Sequence, residues 1–384
     1  MVMGHSAAVT KQHLHETAAT TLMGRLLRKF WQPVALASDM AVRQARPIRI
    51  LGEDLTLYRG ESGKPYLVGA RCAHRCTLLH TGIIREDQIS CMYHGWRYDG
   101  SGLCTDIPAE SKPRANPIRI AGYPVREYAG LIFAYMGEGA APEFDLPRKA
   151  AFETGSRSFF PKREFWDCNW FQQVENSMDA VHLSFAHLWG VPGQFGASIS
   201  AGGEIPALEY VETSSGIRQI AARSNGNVRI SDWTFPNNNH IVVPGPDQKA
   251  SWGHVSVWAV PVDDRRTMRF RIYSTDKVDE ETAARIRADL AFEPTFCADA
   301  LFNGDLSGLS EQSIISAQDY VAVRGQGEIC DREEENLSSS DAGVIFLRRV
   351  FLRELEAIAT GAEPKMWASL KENIDLPPPP TRAA

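Results

Sequence analysis

Cys72-Ala73-His74 and Cys91-Met92-Tyr93-His94 are separated by sixteen residues, and each short stretch offers one thiol and one imidazole. A zinc finger usually divides its ligands differently, with both cysteines on one loop and both histidines on the other. Mixed loops suit a [2Fe–2S] cluster in which one iron takes two thiolates and the other two imidazoles. Cys72, His74, Cys91 and His94 are therefore the candidate cluster ligands. A mixed Cys2His2 zinc site is the alternative, and colour separates the two.

The flanks fit a cluster. Tyr66-Leu67-Val68-Gly69-Ala70 is a β-like run that enters the first loop, Ile89-Ser90 enters the second, and Gly100-Ser101-Gly102 marks a turn. Gly95 lets the backbone turn tightly, and Trp96 and Tyr98 are expected to shield the cluster from water. The pattern resembles the cluster motif of Rieske proteins. Rieske clusters of respiratory complexes add an inter-loop disulfide and hydroxyl donors to the sulfurs. Here Met92 stands between the second-loop ligands, Trp96 follows Gly95, and Cys76 has no evident partner in that loop, so neither feature is expected. Fewer donors imply a potential at the lower end of the Rieske range, suited to feeding an oxygen-activating metal.

The chain has 384 residues, long enough for two domains. Its 43% hydrophobic and 23% charged content is that of a globular enzyme. A net charge of −6 without a basic block argues against nucleic acid as partner. No apolar run has membrane-crossing length and Met1 to His15 is not signal-like, so a cytoplasmic protein is expected. The seven cysteines are scattered, which suits a reducing compartment.

Along the chain, Leu22, Leu26, Leu27 and Phe30 recur at helical spacing, predicting a helix from Glu16 to Trp31 that Pro33 ends. A β pattern begins near Pro47 and runs to Leu131–Met136, with a boundary at Pro142–Pro147. The predicted domains are residues 1–37, an N-terminal helix packing on the catalytic domain; 38–145, all-β and cluster-bearing; and 146–384, catalytic. The last opens with a helix from Trp170 to Leu188, followed by six β segments between Leu208 and Tyr273 as in an antiparallel sheet. Helices over Thr282–Leu290, Glu311–Val323 and Asp341–Ile358 close it, and Pro377–Pro380 is an extended tail. The fold class is α+β.

The second informative stretch runs from Asn176 through Asp179 and His182 to His187. On an ideal helix, positions five apart point about 140° away from each other. To share a metal, the helix must end, bend or hold a π-type turn between the histidines. Histidines satisfied by core hydrogen bonds are the ordinary alternative. The cluster motif upstream favours a metal, because two imidazoles and a carboxylate make the facial triad of non-haem iron oxygenases. Asp179, one turn before His182, is better placed as a bridge than as the third ligand. Asp319 lies downstream among Ile314, Ile315, Ala317 and Val321, with Asp305 and Glu311 as competing carboxylates.

Together these residues resemble the Rieske non-haem iron oxygenases, in the α-subunit-only branch related to phthalate dioxygenase. Leu22 to Ala35 looks like that branch's entry helix, and Gly325 to Asp341 with Arg348-Arg349 looks like its C-terminal signature. In the family the aspartate after a glutamine is the iron ligand, which selects Asp319. The resemblance implies a Rieske domain on a helix-grip catalytic domain, assembled as a homotrimer or a dimer of trimers. It also implies a flavin and iron–sulfur reductase, with or without a ferredoxin, that passes NAD(P)H electrons to the cluster. Asp179 would couple a cluster histidine of one subunit to His182 of the next, and Asn176 would line the iron pocket. The implied reaction is O2-dependent hydroxylation of an aromatic compound, an acid or an aryl ether, with O-demethylation as the alternative. A Rieske electron carrier is the reading from another class. Trp189, Phe195, Trp233, Phe235, Phe296 and Phe302 are pocket candidates against a default role in the core. Arg218, Arg223 and Arg229 read as a solvated sheet face, with carboxylate binding as the alternative.

Overall fold

The computed structural model describes residues 8–112, 116–153, 155–188, 203–224, 228–244, 252–306 and 309–368. Helix α1 spans only Leu22–Arg28, capped by the Thr21 hydroxyl, which accepts from the Gly24 N–H. Trp31–Leu36 is instead a strand, β1. It is apolar and almost wholly buried, and a short run of that kind has no periodicity to separate helix from strand. Pro33 sits within it, beside a register shift in its pairing.

Ten further short strands follow: β2 (Ala45–Ile50), β3 (Glu53–Arg59), β4 (Pro65–Gly69), β5 (Ile83–Arg85), β6 (Gln88–Ser90), β7 (Arg97–Tyr98), β8 (Cys104–Asp106), β9 (Gly122–Tyr123), β10 (Val125–Tyr128) and β11 (Leu131–Tyr135). They form three antiparallel sheets, in the orders β1-β11-β10, β2-β3-β4-β9 and β5-β6-β7-β8. The β2–β3 turn, with Leu51 and Gly52 both at positive φ, is the tight kind that matches strand twist. Its amides donate to the Pro261 and Val262 carbonyls at 2.8 and 2.9 Å, pinning this all-β part to the larger sheet.

That sheet comprises β12 (Arg157–Trp166), β13 (Ala207–Glu212), β14 (Gly216–Ala222), β15 (Val228–Thr234), β16 (Asn238–Pro244), β17 (Trp252–Asp263) and β18 (Arg266–Asp276). It is antiparallel, in the order β12-β18-β17-β16-β15-β14-β13. Six of its strands match the predicted segments. β12 was not expected, because Lys162, Arg163 and Glu164 break its apolar pattern; as an edge strand it also tolerates Pro161. The helices are α2 (Trp170–Met178), α3 (His182–Phe185), α4 (Glu280–Leu290), α5 (Pro294–Asn303), α6 (Glu311–Gly325) and α7 (Ala342–Thr360). The main core joins both parts of the chain: Phe133 meets Trp258 edge to face, and Phe351 of α7 meets Phe171 of α2 in the same way. The Pro377–Pro380 tail lies outside the described residues.

Two contacts fix α2 where the chemistry needs it. The segment 323–330 wraps its start: Gln172 donates to the Val323 and Gly327 carbonyls and accepts from the Cys330 N–H. Within the helix, Glu175 accepts from Arg332 and from Arg348 of α7 at 2.7–3.0 Å, all buried. The C-terminal signature is therefore the clamp on α2. At the other end, Gly343 of α7 packs so closely that a Cβ there would lie 2.2 Å from the Met178 carbonyl oxygen.

Candidate metal centres

Both thiol–imidazole loops are hairpin tips on one plan. A bridge pairs Arg71 with Leu78, and the β6–β7 ladder pairs Ser90 with Arg97. Inside them the Cys76 N–H donates to the Cys72 carbonyl at 3.0 Å and the Gly95 N–H to the Cys91 carbonyl at 2.9 Å. The fifth residue of each tip, Cys76 at φ 58° and Gly95 at φ 78°, adopts the left-handed backbone that closes the turn. The thiols point inward, with Cys72 2% and Cys91 3% exposed, whereas His74 and His94 are at the surface with rings 4.5 Å apart. Burial, then the nearness of Cys72, raises the Cys91 thiol pKa. Two thiols pressed together inside and two imidazoles outside are the donor set of an asymmetric two-iron cluster, so the residues fit the group.

Trp96 is buried and stacks on His74, as a shield would. Tyr98 does more than shield. Its hydroxyl accepts from the Ala73 N–H at 3.0 Å and lies 3.2 Å from Cys72 Sγ, to which it would donate when that sulfur is a thiolate. The expectation that no hydroxyl reaches the sulfurs is corrected by this contact, which spans 26 residues of sequence.

The second centre begins where α2 stops. Asp179 leaves helical geometry at φ −98°, ψ 94°. The Met178 carbonyl is satisfied by the Gln219 amide at 2.8 Å. Asp179 Oδ1 then caps the next turn, accepting from the Val181 and His182 N–H groups at 2.9 and 3.2 Å. The next helix, α3, ends at Phe185, before His187, and His182 and His187 come together with ring centroids 5.3 Å apart. Asp319, from α6, completes the group: its Oδ1 is 3.4 Å from Nε2 of each histidine. One ligand atom from each residue lies within 4.8 Å of the others.

The electrostatics of this trio call for a cation. Asp319 Oδ1 is buried and has no hydrogen-bond partner among the described residues. Burial works to raise the Asp319 pKa, but His187 and His182 outweigh it and hold the carboxyl well below its usual range. Burial works to lower the His187 pKa, and Asp319 and Gln318 reverse it. Both rings are oriented from behind, since Nδ1 of His182 faces the Asp179 carbonyl and Nδ1 of His187 lies 2.9 Å from Gln318 Oε1. Both Nε2 lone pairs are thereby turned towards the orphaned oxygen, so the trio fits a mononuclear iron.

Other candidates fall elsewhere. Among the described residues Asp305 does not join the trio, and the Glu311 side chain lies outside them. The Asp179 carboxylate lies 3.9 Å from His182 Nδ1, and it is the Asp179 carbonyl that contacts that ring. Asn176 is half-buried in the last turn of α2, and its carbonyl accepts from the Asp179 N–H at 3.2 Å. Trp233 and Phe235 pack against Phe351 in the main core, the role expected of them by default, and Phe302 is 73% exposed, so none of the three is a pocket residue. Trp189, Phe195 and the Phe296 side chain lie outside the described residues. Gln318 was not singled out, although its place beside Asp319 in the sequence was the available signal.

Comparison with known proteins agrees with this construction. Residues 30–128 match the family model of the Rieske [2Fe-2S] domain. The 5,5'-dehydrodivanillate O-demethylase oxygenase subunit of Sphingobium sp. (strain NBRC 103272 / SYK-6) is 32% identical over 355 residues, covering 90% of this chain and 79% of its own. The chain belongs to the Rieske non-haem iron oxygenases. Another relative, the tert-butanol monooxygenase / tert-amyl alcohol desaturase oxygenase subunit of Aquincola tertiaricarbonis, is 32% identical over 378 residues, covering 94% of this chain and 78% of its own. NdmA of Pseudomonas putida CBB5, solved as a mutant with caffeine, shares the fold at a TM-score of 0.68 and 20% identity, over 86% of this chain and 91% of its own. A Rieske oxygenase is an oxidoreductase that works with a [2Fe–2S] cluster, a mononuclear iron and dioxygen. No helix among the described residues is long and apolar enough to cross a membrane.

Proposed function

We propose that this chain is the terminal oxygenase component of a multicomponent system that hydroxylates an aromatic compound. In this reading Cys72, His74, Cys91 and His94 hold the cluster, and His182, His187 and Asp319 hold the mononuclear iron. The observation that carries the reading is the meeting of two oriented imidazoles around a buried carboxylate oxygen that has no hydrogen-bond partner among the described residues. An electron carrier would have no use for that arrangement. When bound, the cluster supplies one-electron transfer and the iron supplies activation of dioxygen beside the substrate.

The protein's own part is orientation and exclusion. The Asp179 carbonyl and the Gln318 amide oxygen each hold one Nδ1–H, so both imidazoles are locked in the tautomer that offers Nε2. His187 is 1% exposed, which keeps bulk water from that side of the centre. The exposed edges of His74 and His94 suit electron entry from a separate NAD(P)H-dependent reductase, with or without a ferredoxin. They also suit exit towards Asp179 of a neighbouring subunit in a homotrimer or a dimer of trimers. Asn176 would line the pocket one turn before Asp179. A cytoplasmic location agrees with the absence of disulfides among the described cysteines.

The test is iron and acid-labile sulfide per chain in the wild type and His187→Ala, purified anaerobically. About three irons and two sulfides should fall to about two irons with the visible spectrum unchanged. About two irons in both proteins after reconstitution would leave an electron carrier. O-demethylation is the second reading, favoured by the name of the Sphingobium relative; formaldehyde release from a methoxylated aromatic would distinguish it.

A further inference from the structure

Arg223 of the large sheet is buried, which corrects the solvated face expected for it. At the β12 edge of that sheet, the side chains packed against the helices are of a kind that gives up electrons readily. Trp166, at the end of β12, and Cys168, two residues on, join Tyr320 of α6 in one small buried cluster with Ala298 and Val323. The indole of Trp166 and the phenol of Tyr320 meet edge to face, with centroids 5.3 Å apart. An ordinary core cluster would be served as well by leucine and phenylalanine, which carry no polar atoms and resist oxidation.

This cluster adjoins the iron trio through the chain itself. Tyr320 follows Asp319, so their Cα atoms are about 3.8 Å apart, and one step along α6 turns its side chain about 100° from the ligand's. The Tyr320 hydroxyl donates to Asp167 Oδ1 at 2.5 Å. Asp167 also pairs with Arg324 at 3.1 Å, and its side chain is 47% exposed. The phenol thus runs from the neighbour of a metal ligand to a carboxylate at the surface. A phenol that loses an electron becomes a strong acid, so its oxidation is eased by a base already bonded to the O–H. Trp166 lacks such an outlet: its Nε1 has no hydrogen-bond partner among the described residues. The Arg269 guanidinium also lies 5.0 Å from the Trp166 ring centroid, a cation that opposes removal of an electron.

We infer that Tyr320 is a redox-active residue that discharges the iron centre when oxygen is reduced there without substrate, with Asp167 as its proton acceptor. This rests on the oxygenase reading for the source of the oxidant. An oxidant at the level of peroxide takes two electrons. The ferrous iron gives one and becomes ferric, and Tyr320 gives the other. The two oxygens leave as hydroxide, and the phenol proton passes to Asp167. One electron from an external thiolate, two of which end as a disulfide, and the proton held by Asp167 then restore the phenol. Without this outlet the oxidant falls on the side chains nearest to it, His182 and His187.

The test adds hydrogen peroxide to substrate-free protein with ferrous mononuclear iron and an oxidised cluster, then freezes it for electron paramagnetic resonance. The wild type should show a neutral tyrosyl radical, whose signal narrows in protein made with ring-deuterated tyrosine. The signal should be lost in Tyr320→Phe and weakened in Asp167→Asn. Mass spectrometry should find an added oxygen on His182 or His187 in a larger share of Tyr320→Phe chains than of wild-type chains. Thermal melts and iron content, taken first on each preparation, separate misfolding from loss of the outlet. With full iron, the inference is overturned by a wild type without the radical or by a signal that survives in Tyr320→Phe. An undiminished signal in Asp167→Asn, or equal histidine oxidation in wild type and Tyr320→Phe, overturns it too, and the oxygenase reading stands in all four cases. Protein that never holds the mononuclear iron overturns both.

Discussion

The two candidate metal centres of this molecule are built on opposite plans. Every candidate cluster ligand falls between Cys72 and His94, on two hairpin tips whose shape is set by hydrogen bonds a few residues apart. The iron trio has no such economy of sequence: 131 residues separate His187 from Gln318, the residue that orients its ring. A local site depends on turn geometry, whereas a remote one depends on the packing of α2, α6 and α7. Substitutions should therefore damage the two centres separately.

The sharpest way to break the comparison is Asp319→Asn. An amide removes the charge that the trio concentrates on Oδ1, and losing a ligand should exceed the ~10–100-fold loss typical of an outer partner. Mononuclear iron and product formation should fall below about a hundredth of wild type, with the cluster's visible and electron paramagnetic resonance spectra unchanged. Parallel loss of both centres would mean that they are not independently built. Glu175→Gln is next. It touches neither centre but leaves Arg332 and Arg348 buried without their shared carboxylate. Breaking a buried ion network costs about 3–5 kcal/mol, read in denaturant melts. Iron retention should drop in this variant while the sulfide content of purified protein holds.

How much of this was legible in the sequence follows the same divide. The cluster loops could be read directly, because ligand identity and spacing are local. The break between His182 and His187 was also foreseeable, since a straight helix cannot bring positions five apart together. Asp319 was not separable from Asp305 and Glu311 by pattern, because nothing local says which carboxylate a distant helix will meet; the family resemblance selected it. Aromatic residues could not be sorted further by type: Trp233 and Phe235 take the default core role, under α7, and their composition looks the same in a pocket as in a core. β12 was hidden because Lys162 and Glu164 point inward as a buried ion pair, the reverse of the usual alternation.

Tyr98 sharpens the comparison from the cluster side. Its hydroxyl stabilises negative charge on Cys72 Sγ, and the reduced cluster carries more of that charge. Tyr98→Phe should therefore lower the cluster's reduction potential, by on the order of 50 mV if the lost hydrogen bond changes the redox equilibrium tenfold. Protein-film voltammetry reads this directly. Mononuclear iron content should be unaffected, and an unchanged potential would restore Tyr98 to the purely shielding role.

The smallest effect concerns pH. Glu335 accepts from Arg348 at 2.6 and 2.8 Å, in the clamp on α2. Burial works to raise its pKa, but the bonds and charge of Arg348 outweigh it, so the folded value lies below the ordinary one. A carboxylate of this kind stabilises the fold fully above its unfolded pKa, about 4.3, and the contribution is lost as pH falls through the folded value. Glu335→Gln should thus cost about 1–2 kcal/mol at neutral pH, allowing for the partial exposure of the pair. In urea melts the gap to wild type should stay constant from about pH 6 to 8 and close below about pH 4. A gap that persists into acid would assign the loss to packing of the amide against α7, and would remove charge from the account of how the remote centre is held.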